Sequence, residues 1–274
     1  MKKILFGLFV GSAALLSSCG GGEETVKQYD YDRADSLSVD YTRQALAIRG
    51  NIKETSGFYT LLNGKGAEFN SSLANSPGSA SKYSSSFDKS VNMGIYGADL
   101  NYLTSYEQIE GARSTVEAIS KLATSLGIEK AFDKETFEAI LEPQDSNQVE
   151  TKSNLITKAF RKAEDQMYSE DRALMGTLMV AGGWIESTYI TSSLIASSEI
   201  PGNELSDYWI LVFNYESVMK MLNVFGDDAD AKKMRDMLQS IEENVKAITD
   251  QTKLNMKDVE AMKEATGKLR SGLI

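Results

Sequence analysis

The chain has 274 residues, 39 acidic against 29 basic, a formal charge of −10, no histidine, one cysteine and three prolines. Those counts exclude a Ser-His-Asp or Cys-His nucleophile, a zinc site of the usual ligands, a His-ligated haem and an internal disulfide. The acidic balance offers no basic run to neutralise phosphates, so nucleic acid is not an expected partner.

At the N-terminus, Lys2 and Lys3 precede an apolar run from Ile4 to Leu16, and Ser17 and Ser18 lead to the single cysteine, Cys19. The run is too short to span a hydrocarbon core of about 30 Å. The Leu16-Ser17-Ser18-Cys19 string resembles a bacterial lipoprotein signal, which implies removal of residues 1–18 and acylation of Cys19. It also implies anchoring to the bacterial outer membrane, facing the periplasm or the cell surface. Removal takes two lysines and no acid, leaving a mature charge of −12. Gly20-Gly21-Gly22-Glu23-Glu24 has nothing to bury, so residues 19–35 read as a flexible tether and 36–274 as the folded domain. Asp35-Ser36-Leu37 resembles a bacterial O-glycosylation acceptor.

Helical apolar spacing runs from about Val39 to Leu62 and ends at Asn63-Gly64-Lys65-Gly66. Residues 63–82, rich in Ser, Gly and Asn, form the longest irregular stretch, either a binding loop or a connector. A helix is expected over 82–106 and another over 107–126, with Ile109, Ala112, Val116, Ile119, Ala123 and Leu126 at bundle spacing and Gly127 as its C-cap. A short helix near 133–141 stops before Pro143. Residues 147–167 place Ile156, Ala159, Phe160, Ala163 and Met167 on one face. Residues 173–196 and 205–225 are apolar nearly all round, which predicts central positions in the core. Asp227-Asp228 precedes a second seam of Met234, Leu238, Ile241, Val245 and Ile248, and a last helix covers 256–270. No segment alternates with a strict period of two, so the fold class is all-α, a single multi-helix bundle-like domain.

Two glycine-rich segments carry aromatics and a carboxylate within these helices. Gly94-Ile95-Tyr96-Gly97-Ala98-Asp99-Leu100-Asn101-Tyr102 and Ala181-Gly182-Gly183-Trp184-Ile185-Glu186 resemble strings of an uncharacterised family of all-helical lipoproteins of Gram-negative bacteria. The resemblance covers roughly residues 75–195 and implies fold and address, but no activity. From spacing alone, Tyr96, Asp99, Tyr102 and Tyr106 share one helical face, and Glu186 pairs with Tyr189 beside Trp184. A buried carboxylate needs donors, a cation or a raised pKa. These seven residues are therefore candidates either for structural links between helices or for a ligand cleft lined by two acids.

The expected function is a non-enzymatic, membrane-anchored binding or interaction module for an envelope ligand or protein, without cofactor or metal. A carboxylate-based glycan hydrolase or lyase is the alternative, since Glu186-Ser187 resembles the Glu-Ser of lytic transglycosylases, although the rest of that signature is missing. A purely structural envelope protein is the third reading. Asp227, Asp228 and Asp230 lack the full calcium loop and read as a helix cap.

Overall fold

The computed structural model describes residues 57–142, 149–198, 200, 205–248 and 254–274. The expected signal segment and tether, Cys19, Asp35-Ser36-Leu37 and the expected helix up to residue 56 lie outside them. The described residues are all-α, and no strand occurs among them. No helix among them is long and apolar enough to cross a membrane.

Helix α1 occupies residues 57–64 and closes where Ala67 N–H returns to Leu62 O at 2.9 Å, with Gly66 at φ 88°. The chain then crosses the surface through two short 3₁₀ turns, Ser71–Leu73 and Pro77–Ser81. Helix α2 (Ser86–Ser105) begins four residues later than its apolar spacing predicts. The reason is local. Ser85 Oγ accepts the Asp88 N–H at 3.0 Å and donates to the Asp88 carboxylate at 2.7 Å, a reciprocal cap that sets the first turn.

α3 (Ile109–Leu126) ends at Gly127, left-handed at φ 66°, where Ile128 N–H closes on Ala123 O at 2.9 Å. All the apolar positions of its expected seam but Ile109 are buried, as are Ile156, Ala159, Ala163 and Met167 on α5. α4 (Lys134–Leu141) is capped by Asp133, which accepts from Thr136 N–H at 2.8 Å. α5 (Val149–Ser169) and α6 (Ala173–Ala196) follow. α2 and α6 pack along each other at the centre, with α3 and α5 against α2 and the last helix, α11 (Met256–Ser271), against α6.

Two expected single helices are each divided. The apolar stretch after residue 205 forms α7 (Ser206–Phe213) and α8 (Tyr215–Asn223), broken at Asn214. Trp184 Nε1 donates to Leu211 O at 2.8 Å, drawing on the carbonyl that a continuous helix would offer to Tyr215, and the ladder bends there. This segment is also less central than its composition predicts. Phe213 is 44 % exposed and stacks on Trp209 with ring centroids 5.0 Å apart, so the two aromatics cover one another at the edge. The second seam divides into α9 (Ala229–Gln239) and α10 (Glu242–Ala247), yet Met234, Leu238, Ile241, Val245 and Ile248 all remain buried. Asp228 Oδ1 caps α9 by accepting from Asp230 and Ala231 N–H.

The apolar interior forms two clusters. One gathers α1 and α6 to α11, the other α3, α4 and α5, and α2 and, through Met179, α6 contribute to both. α2 and α6 thus form the wall between two half-cores.

Candidate functional site

The predicted face of α2 exists, and its partner is the irregular loop. Tyr106 donates to Ala67 O at 3.0 Å. Tyr102 takes the Asn70 N–H at 2.9 Å and faces its carbonyl at 3.3 Å. Asp99 Oδ2 accepts from Asn75 N–H at 3.0 Å, and Tyr96 donates to Ser76 O at 2.8 Å. The four side chains, spaced 3, 3 and 4 along the helix, therefore bind residues 67–76 as that segment runs back along α2. A segment without regular structure cannot satisfy its own backbone polar groups, and these side chains supply the missing partners.

Asp99 and Glu186 meet beneath this loop, and both are fully buried. Arg270 of α11 reaches in from the other side. Its Nε lies 2.8 and 2.7 Å from the two Glu186 oxygens, and its Nη2 donates to Leu73 O at 3.1 Å. Tyr189 lies beneath the guanidinium, 5.0 Å from ring centroid to Cζ. No donor reaches Asp99 Oδ1 among the described residues, and the Glu186 carboxyl is its neighbour. Two buried carboxyls this close resist carrying two negative charges together. Burial, and then the Glu186 charge, push the Asp99 carboxyl well above its ordinary range. Burial also raises Glu186, while Arg270 and the Asp99 proton pull it back. Asp99 is thus the member driven more strongly to keep a proton, and Glu186, raised to about 7, is the one that Arg270 holds toward the anion.

The glycines beside these carboxylates serve the helix crossing. A methyl group on Gly94 would run into Met179 O, and one on Gly182 into Val91 O, so α2 and α6 touch backbone to backbone. The approach leaves an apolar groove on one flank. It is narrow, with a cavity volume of about 80 Å³, and is walled by α2, α5, α6 and by Leu211 and Asn214 at the α7–α8 break. Gly97 and Gly183 lie along it, Phe160 and Trp184 flank it, and Asn101 lines one end. Phe160 stands over Gly97, where a methyl group would come within 2.6 Å of its ring, and packs edge-on against Phe132.

A second groove, wider, more open and of mixed polarity, with a volume of about 490 Å³, lies between residues 74–83 and the C-terminal Gly272-Leu273-Ile274. Arg270 forms its floor and stands between it and Glu186.

Of the seven residues singled out by sequence, only Trp184 lines the apolar groove; Tyr96, Asp99, Tyr102, Tyr106, Glu186 and Tyr189 do not. Three important residues were not legible. Arg270 lies 84 residues from Glu186, on a helix whose spacing marks it only as one more cation near a C-terminus. Asn101 sits inside the resembling string, yet nothing local distinguishes it. Phe160 read as one more apolar position. No group of three or more His, Cys, Asp or Glu side chains gathers as a ligand set for a metal among the described residues. No family model, no curated protein and no solved structure matches the chain.

Proposed function

We propose that the chain is a lipid-anchored protein of the bacterial outer membrane whose helical domain works as a non-enzymatic binding module, with the apolar groove beside the α2/α6 crossing as its ligand-facing surface. One observation carries this reading: the groove is open and apolar, while both acids that could do chemistry are sealed behind the loop and Arg270. Glycoside cleavage requires two carboxyl groups in contact with substrate and water. Asp99 instead accepts from Asn75 N–H, and Glu186 is paired with Arg270. The lipobox-like Leu16-Ser17-Ser18-Cys19 and the Gly-rich stretch after it support the anchor.

The test is retention of small molecules. The chain carrying Cys19→Ser is incubated with a solvent extract of bacterial envelopes, washed and examined by mass spectrometry beside Ser187→Phe, which places a ring at the groove's half-buried rim. Compounds retained by the first protein and lost from the second are the expected result. Retention of nothing, or equal retention by both, overturns the groove as a binding surface.

A further inference from the structure

The groove's chemistry narrows what it can take. Asn101 lines it at 3 % exposure, and its Oδ1 has no donor among the described residues. A buried amide oxygen without a donor is costly, and the terminal torsion of asparagine is soft enough to turn the amide toward an incoming group. Arg161, its side chain 60 % exposed at the outer edge of the lining, faces Asp165 at 3.6 Å, and Glu164 is engaged. The indole N–H of Trp184 is already spent on Leu211 O. Thr157, which donates to Ser153 O, Ser187 and Asn214 also reach the lining, and the other walls are apolar, through Ile156, Phe160 and Met179. Along α2 the groove runs from Gly94 to Asn101, about 10 Å at the rise of an α-helix.

Resting on the binding reading above, we propose that the groove is a site for a slender, uncharged apolar molecule bearing one hydroxyl or amide donor, which pairs with Asn101 Oδ1 while its apolar body lies between Phe160, Met179 and Trp184. The donor selects the ligand, and the walls supply the affinity. An ionic headgroup seated beside Asn101 would lose its hydration between apolar walls, because Arg161 stands out at the exposed edge facing Asp165.

Three probes of about the groove's length test this by titration calorimetry against the whole chain carrying Cys19→Ser: octan-1-ol, octyl methyl ether and octanoate. The alcohol is expected to bind about tenfold more tightly than the ether, which has no donor, and more tightly than octanoate. Asn101→Leu should remove the difference between alcohol and ether, and Ser187→Phe should weaken both. Equal binding of alcohol and ether to the unaltered groove, or tightest binding of octanoate, overturns the ligand assignment and leaves the binding reading standing. Failure of all three probes to bind, or binding indifferent to Ser187→Phe, overturns both. The comparison between probes needs no variant, so a poorly folding Asn101→Leu does not remove the test.

Discussion

Asp99 holds a proton that an unfolded chain would have released. The ordinary value for an aspartic acid is about 3.9, and the folded value lies well above it, because burial and the Glu186 charge both oppose ionisation. The native state therefore binds more protons than the unfolded state across that interval. The resulting stability is fully present below about pH 4 and is lost as pH rises through the folded value, by about 1.4 kcal/mol per pH unit for one proton. Thermal melts should accordingly fall as pH climbs from 4 toward 8. Asp99→Asn, which keeps a neutral donor toward Glu186, should flatten that fall, and an unchanged slope in the variant would place the linkage elsewhere. On the acid side Asp133 acts in the opposite sense. Its bonds to Thr136 hold it at about 2, so the support it gives as the cap of α4 is lost below that range.

At the scale of elements, the spacing of α2 was legible because residues three and four apart on a helix must share a face. What that face touches was not, since the bonded loop residues lie 20 to 39 positions away. The glycines show the same division. Their presence announced a close approach, and only the crossing shows that helix meets helix. Gly94→Ala should destabilise the fold by about 3 kcal/mol or more in urea titrations, because its methyl group meets the Met179 backbone rather than a movable side chain. Gly183→Ala, with 3.3 Å to Gly94 O, should cost less, and Gly64→Ala, with open space around it, should be near neutral. Equal effects at all three positions would contradict the backbone contact.

Across the whole molecule, two half-cores share the α2/α6 wall, and the C-terminal residues tie it shut. Asn92 Nδ2, in α2, donates to Leu273 O at 2.8 Å, while Arg270 joins α11 to Glu186 of α6 and to Leu73 of the loop. The exposed i,i+4 ion pairs, such as Lys232 with Asp236 and Lys134 with Glu138, contribute little beside it. Removing Arg270 strands a buried anion. Arg270→Leu should cost about 3 to 5 kcal/mol in denaturant unfolding, and Glu186→Leu added to it should restore most of that loss. A double variant no more stable than the single one would mean that the guanidinium acts through its packing on Tyr189 and its bond to Leu73 O.

The all-α class, the seams of α3 and α9–α10, the C-cap at Gly127 and the N-cap at Asp228 were determined by sequence alone, because each depends on residues within one or two helical turns of one another. Composition likewise excluded histidine chemistry and an internal disulfide before any fold was considered. Where α7 and α8 part was decided by an indole from α6, and the shielding of both carboxylates by an arginine 84 residues beyond Glu186. Burial of a charge and the opening of a groove depend on what several distant segments place around one point, and no local spacing encodes that. Asp99 and Glu186, candidates in the sequence for a structural link or for a ligand cleft, are brought together with Arg270 in the interior, and the groove emerged only when Asn101, Phe160 and Trp184 were brought together in space.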